Sequence, residues 1–176
     1  MGAEAQIPVI DFSLAALKLG VANGASGDDQ IIQDDVRTQV REACEVHGCF
    51  LLRCTESNAG SVTEDMFEGL RRLFDLPEDV KRRYQTARPY SSYKAKDPVV
   101  PLHESFGIDD AHLVESSQAF TRILWPQGNS QFCSALNGMS SRMLQLNLAM
   151  LKVIFESYQA GNRYESFAEK TCSVFR

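Results

Sequence analysis

The chain has 176 residues, enough for one domain with a real core. Hydrophobic residues make up 44% and charged residues 23%, ordinary proportions for a globular protein. The formal net charge of -5 argues against a general phosphate-binding role, because nucleic-acid affinity rests on clustered Lys and Arg.

The basic clusters present, Arg71-Arg72 and Lys81-Arg82-Arg83, are short and interleaved with acids, so they read as solvated helix faces. Residues 1–6 lack a charged segment followed by an apolar one, which argues against a secretory signal of the usual kind. Gln6 stands where an N-myristoylation motif wants Ser or Thr. No apolar run approaches the roughly 20 residues needed to span a bilayer. The expectation is a soluble cytoplasmic protein with neither nucleic acid nor membrane as partner.

The five cysteines are Cys44, Cys49, Cys54, Cys133 and Cys172. Their odd number, and the lack of any Cys-x-x-Cys pair, argue against a disulfide framework. Cys44, Cys49 and Cys54 are evenly spaced, but an iron-sulfur site of the plant type also needs a two-residue gap. They are read as reduced core thiols.

In chain order, Ile7 to Phe12 is a short β-branched apolar run and predicts a strand, with Pro8 at its start or edge. Residues 20–29, rich in Gly, Ala, Asn and Asp, predict a loop. Ile32, Val36, Val40, Ala43 and Cys44 recur at helical spacing, and Gly48 supplies a stop. Cys49 to Leu52 then predicts a buried strand. Ser61-Val62-Thr63-Glu64 resembles a capping box, and Met66, Leu70, Leu73 and Phe74 behind it form one apolar stripe. Pro77 opens a short helix over 77–84.

Over residues 86–110 the periodicity fails. Three prolines and several tyrosines there predict a long ordered loop of the kind that carries function. The strongest helical signal follows. Phe132, Leu136, Met139, Met143, Leu146, Met150 and Ile154 step by three and four. Leu144, Leu148, Leu151 and Phe155 add a second apolar face, so the helix is expected to be buried between layers and to end at Gly161. Its methionines are read as core rather than as an adaptable binding groove. Residues 171–176 look like the opening of a strand with no successor.

Several of these segments resemble one family. Ile7-Pro8-Val9-Ile10-Asp11-Phe12 resembles the opening strand of the plant non-haem iron(II)/2-oxoglutarate-dependent dioxygenases. Cys44 to Leu52 resembles their next helix-to-strand junction. Leu73-Phe74-Asp75-Leu76-Pro77 with Lys81 resembles their F-x-L-P-x-E-x-K segment. Pro89-Tyr90 and Tyr93 stand where the family often has a G-Y loop. Residues 101–110, and Leu124-Trp125-Pro126 with Asn129 and Phe132, look like the branch containing the glucosinolate-modifying and auxin-oxidising enzymes. Each piece alone is weak. Five in the right order are specific.

The resemblance implies an α+β fold: N-terminal helices and first strands of an incomplete double-stranded β-helix, or jelly roll. Residues 1–126 would form the dioxygenase N-terminal region. Residues 127–176 would form a long core helix and the start of the barrel. The family uses Fe(II), held by a His-x-Asp pair and a distant His, and 2-oxoglutarate, held in part by an Arg-x-Ser motif. Such a ligand set leaves metal positions open for co-substrate and oxygen.

Here the match departs from the pattern. His47, His103 and His112 are each followed two positions later by Cys49, Ser105 and Val114, none of them a carboxylate. The Arg-x-Ser motif is also missing. No catalytic or metal-binding residue is therefore assigned, and no cofactor is expected for this chain alone. His103 and His112, with Glu104, Asp109 and Asp110, could be imagined as a makeshift iron site, but the segment aligns with a family stretch that does not bind iron.

Tyr90, Tyr93 and Phe106 are the substrate-binding candidates, since the loop after the F-x-L-P helix approaches substrate in such enzymes. Packing of these aromatics onto the helices is the competing reading. The sequence thus predicts the N-terminal portion of an oxygenase, inactive alone. The alternative is a non-catalytic interaction or regulatory module derived from the same family. Apolar surface left open would drive self-association or pairing with a partner through the unfinished sheet. No Ser-His-Asp signature, phosphate-binding glycine loop or paired zinc ligands support an enzyme of another class.

Overall fold

A computed structural model of the chain describes residues 6–12, 27–54, 59–89 and 91–176. They divide into two compact units, each discontinuous in sequence. One comprises Met1–Ser57 with Gln145–Lys170, and the other Asn58–Leu144 with Thr171–Arg176.

The first unit opens with β1 (Val9–Phe12), followed by α1 (Gly27–Val46) and β2 (Leu51–Cys54). β1 and β2 pair in parallel, Val9 opposite Leu51 and Phe12 opposite Cys54. Parallel neighbours need a crossover, and α1 provides it. Alternation along β1 sends Ile10 and Phe12 inward and leaves Val9 and Asp11 exposed. α1 answers with Val40 and Ala43, which are buried, and with Val36 and Cys44 packed beside them. The helix ends as Gly48 predicts. Gly48 adopts φ +68°, and the amides of His47 and Gly48 both donate to the Ala43 carbonyl.

Two expectations shift here. α1 already includes Gly27, Asp28 and Asp29, which composition assigns to a loop; the helical register outweighs their poor propensity. The rest of that loop lies outside the described residues. β2 runs two residues later than the apolar run Cys49-Phe50-Leu51-Leu52, because the Leu51 amide pairs with the Pro8 carbonyl at 2.8 Å and sets the register.

The second unit begins with α2 (Ala59–Phe74), which starts before Ser61 and so carries the supposed capping box inside the helix. α3 (Glu78–Lys81) follows Pro77. Among the described residues from 82 to 107 there is no named helix or strand, and the bridges Lys94–Ser105 and Asp97–Val100 tie the segment. β3 (Ile108–Asp109) leads into α4 (Val114–Leu124), a helix that the apolar pattern does not reveal.

α5 (Ser130–Ser157) is the long helix expected from its double stripe. Its first half lies in the second unit and its second half in the first. Asn129 caps it, its Oδ1 accepting from the Phe132 amide at 3.0 Å. It ends at Ser157 rather than at Gly161. Gln159 turns the chain with φ +56°, and the Ala160 amide bonds back to the Phe155 carbonyl. Gly161 instead opens a 3-10 turn (Gly161–Arg163) leading into α6 (Tyr164–Ala168).

β4 (Val174–Phe175) closes the description. The sequence reading gives this strand no partner to its C-terminal side; it pairs antiparallel with β3, which precedes it, Phe175 opposite Ile108 and Val174 opposite Asp109.

The core of the second unit is aromatic. Phe106 lies among Tyr93, Phe120, Phe74 and Tyr84, with ring centroids 4.8, 5.5, 5.8 and 6.1 Å away. Gly69 makes room for Phe132, since a Cβ there would come within 2.6 Å of the ring. None of the five cysteines forms a disulfide; Cys44 is half-buried and packs against the core of the first unit, Cys54 and Cys133 are half-buried, and Cys49 and Cys172 are exposed, so not all of them are core thiols. Among the described residues, no helix is long and apolar enough to cross a membrane.

Candidate functional site

The segment over residues 91–107 gathers the polar chemistry of the second unit. Its anchor is a buried ion pair. Lys81, at the end of α3, projects inward; its Nζ donates to the Phe74 carbonyl at 2.8 Å and meets Glu104 Oε1 at 2.5 Å. The same carboxylate oxygen accepts from the Tyr93 hydroxyl at 2.5 Å. Lys81 Nζ also lies 5.6 Å from the centroid of the Tyr93 ring.

Burial alone would raise the Glu104 carboxyl. The hydrogen bonds from Lys81 and Tyr93, aided by the positive charges of Lys81 and Lys96, outweigh it and hold the group below its ordinary 4.5. Burial, and then the hydrogen bond to Glu104, push the Tyr93 phenol upward. Burial and the charge of Asp109 push Tyr84 up to about 12. Both phenols therefore stay neutral and serve as donors. Tyr84 donates to the Gly107 carbonyl at 3.1 Å.

Two cavities share Ser105 and Arg176 in their lining. One, of about 300 Å³, is lined by Ser92, Tyr93, Lys94, His103, Ser105 and Arg176. The other, of about 180 Å³, is largely apolar; Phe74, Phe106, Phe132 and Phe175 contribute rings and Glu104 a carboxylate. A third cavity, of about 430 Å³, lies between α4 and the start of α5, with Arg122, Gln118, Cys133 and Asn137 among its lining.

Of the sequence candidates, Tyr93 walls the first cavity and Phe106 the second, and their rings touch. Both are buried, and the Tyr93 hydroxyl is already engaged by Glu104. Tyr90 lies outside the described residues. Sequence reasoning misses the lining residues Glu104, Lys94, Ser92 and Ser105, and Lys81 beside them. Lys81 and Glu104 both fall in quoted motifs, but spacing gives no sign that they meet.

The imagined iron cluster is not assembled. Glu104 is taken by Lys81 and Tyr93, and Asp109 accepts from Arg88 at 3.2 Å and Ser91 at 3.1 Å. His112 Nδ1 faces Ser173 Oγ at 3.1 Å, and Asp110 Oδ1 lies 3.4 Å from that hydroxyl. His103 Nε2 is 3.4 Å from Ser105 Oγ. His47 is exposed in the other unit. Among the described residues, no three His, Cys, Asp or Glu side chains are grouped to hold a metal ion. The donors described here do not fit a two-histidine, one-carboxylate iron site.

Comparison with known proteins places these features. The family model described as "non-haem dioxygenase in morphine synthesis N-terminal" matches residues 7–127. A probable 2-oxoglutarate-dependent dioxygenase of Arabidopsis thaliana, AOP1.2, is 31% identical over 172 residues, covering 97% of this chain and 49% of the relative. The solved structure of dioxygenase for auxin oxidation 1 from Arabidopsis thaliana, in complex with 2-oxoglutarate, superposes with a TM-score of 0.68. Identity there is 22%, over 87% of this chain and 50% of that one. The dioxygenase for auxin oxidation in rice gives a TM-score of 0.59 at 28% identity, over 86% and 45%.

The expected α+β class agrees with this likeness in fold. The chain spans about half the length of the relatives it matches. Family model, relatives and fold agree, and the chain belongs to the plant 2-oxoglutarate-dependent dioxygenases as an N-terminal portion of that family.

Proposed function

We propose that this chain acts as the N-terminal half of a dioxygenase that uses ferrous iron and 2-oxoglutarate to oxidise a small organic molecule. The iron and the co-substrate would be held by residues outside these 176. The observation that carries the reading is the match of nearly the whole chain to half of such enzymes.

In this reading the chain is inactive by itself, and its 91–107 segment forms part of the wall of a substrate pocket through Tyr93, Phe106 and the neighbouring Tyr90. When bound in the complete site, iron would supply oxygen activation; the present residues contribute shape and a dry aromatic surface. Incubating the purified chain with ferrous iron and 2-oxoglutarate should yield no succinate above the protein-free control. Stoichiometric iron binding with succinate release would overturn the reading.

A second reading, a non-catalytic interaction module, is favoured by the loop tip. Val99 is 87% exposed and Leu102 98% exposed. The turns at Asp97 hold that tip in shape, since the Val99 amide bonds to Asp97 Oδ1 and the Val100 amide to the Asp97 carbonyl. Apolar groups presented this way favour association. Sedimentation of the isolated chain should show self-association that diminishes when Val99 and Leu102 are both replaced by Ser. A monodisperse monomer counts against it.

A further inference from the structure

The largely apolar hollow of about 180 Å³ lies inside the second unit. α2 supplies Met66, Leu70 and Leu73, successive members of its apolar stripe. β3 adds Ile108, and the rings of Phe74, Phe106, Phe132 and Phe175 complete the apolar walls. Met66, Leu73, Phe106, Ile108 and Phe132 are each 5% exposed or less. Arg176 is the one exposed residue of the lining, so the hollow is interior and meets solvent there.

Protein interiors hold few voids larger than a water molecule, because wall atoms facing a void forfeit dispersion contacts. Neighbouring side chains commonly relax into such a space and shrink it. Here the walls are pinned. Phe132 is held on one side by Gly69, where a Cβ would come within 2.6 Å of its ring, and on another by Trp125, with centroids 4.9 Å apart. Phe106 is wedged among Tyr93, Phe120 and Phe74. The β3–β4 pair fixes Phe175 opposite Ile108. Rings in such mutual contact fix one another's angles, and the space between them persists.

We propose that this hollow is a binding site for a small uncharged aromatic molecule, a single ring with short alkyl substituents at most. Size and lining decide the class. An apolar cavity of roughly 150 Å³ stays dry and takes up benzene, and the hollow here is of that order. A ring seated in it regains the missing dispersion contacts and meets four aromatic neighbours. The charged groups at its margin ask nothing of a ligand. Glu104 is met by Lys81 and Tyr93, and Arg176 has a partner of its own. An ion entering would lose its hydration without a counterion to replace it. The inference goes beyond the oxygenase reading, because neither iron nor 2-oxoglutarate takes part.

The test is a titration of the 176-residue chain with toluene, without iron or 2-oxoglutarate, followed by methyl NMR shifts and by the thermal transition seen in Trp125 fluorescence. The expected result is a saturable shift confined to the methyls of Met66, Leu70, Leu73 and Ile108. The transition temperature should rise with toluene concentration, as binding to the folded state requires. Benzoate, a ring of the same size bearing a charge, should do neither. Leu70→Phe puts a ring into the space and should weaken toluene binding about tenfold or more. If its circular dichroism departs from the parent's, Met66→Phe makes the same test from one turn away.

The proposal is overturned by the absence of a saturable toluene shift, or by benzoate binding as well as toluene. Shifts at the exposed methyls of Val99 and Leu102 instead of the lining would show adsorption to the surface and overturn it too. So would parent-like toluene binding in a folded variant whose hollow is filled. None of these outcomes involves succinate formation, so failure here is distinct from failure of the oxygenase reading.

Discussion

The two units solve the same packing problem with different materials. The first is aliphatic. Ile10, Val40, Met150 and Val153 fill it, with Phe12 as the one buried ring. Of its long-range ion pairs, Arg37 with Glu156 is half-exposed at 29% and 25%, and Arg53 with Asp11 is exposed. The second is built from interlocked rings and takes a charged pair inside, Lys81 with Glu104, at 7% and 11% exposure.

Aliphatic cores tolerate small adjustments, whereas rings packed edge to face fix one another's angles. The buried pair adds a directional constraint that apolar contacts lack, because each lost partner leaves a charge without water. The second unit is therefore the more rigidly specified of the two, and the irregular 91–107 segment depends on that rigidity.

The contrast can be broken at several points. The single tryptophan, Trp125, packs on Phe132 within the second unit, so its fluorescence reports that unit while far-ultraviolet dichroism reports both. The largest loss is expected from Phe120→Ala, which removes the ring between Phe106, Tyr84 and Phe132. About 3–5 kcal/mol should disappear from the fluorescence-detected transition.

Lys81→Met should cost about 3 kcal/mol by stranding Glu104, and the double replacement Lys81→Met with Glu104→Leu should recover most of it. A double variant no better than the single would show that the pair is not coupled. Gly69→Ala should cost about 1–3 kcal/mol by forcing a methyl against the Phe132 ring. The smallest effect belongs to Arg37→Ala in the first unit, about 1 kcal/mol or less, fading with added salt.

Acid sharpens the same contrast. Glu104 titrates below its ordinary 4.5 in the folded protein, so its contribution is present above that value and is lost as pH falls through the folded one. The tryptophan-detected transition should weaken below about pH 4.5, and this weakening should vanish in the Lys81→Met/Glu104→Leu variant. At the alkaline end, Tyr84 is held protonated up to about 12. The second unit should lose stability as pH rises from 10 through that value, because only the unfolded chain can then ionise the phenol.

Legibility in the sequence followed the periodicity of apolar residues. α5 could be read because its stripe continues for six turns, and β1 because it is a short β-branched apolar run. α4 could not, because two of its four buried positions are Ser117 and Thr121. Their hydroxyls are satisfied inside the helix layer, Ser117 by the Ala111 carbonyl at 2.6 Å and Thr121 by the Ser117 carbonyl at 2.7 Å. A period written partly in buried hydroxyls is invisible to a hydropathy pattern.

The site was legible only in part. Tyr93 and Phe106 stand out in the sequence by their place in a family loop. Lys81 and Glu104 meet across 23 positions, which no local spacing encodes. Arg176 reaches the cavity only through the pairing of β4 with β3.

That pairing also bears on how the chain is made. Ile108 and Asp109 wait for Phe175 and Val174, and the strands of the first unit wait for the second half of α5. On a ribosome, both units must remain open until nearly all of these 176 residues have emerged. The helices can form early, but their apolar faces stay uncovered meanwhile, which makes nascent chains of this design clients for chaperones.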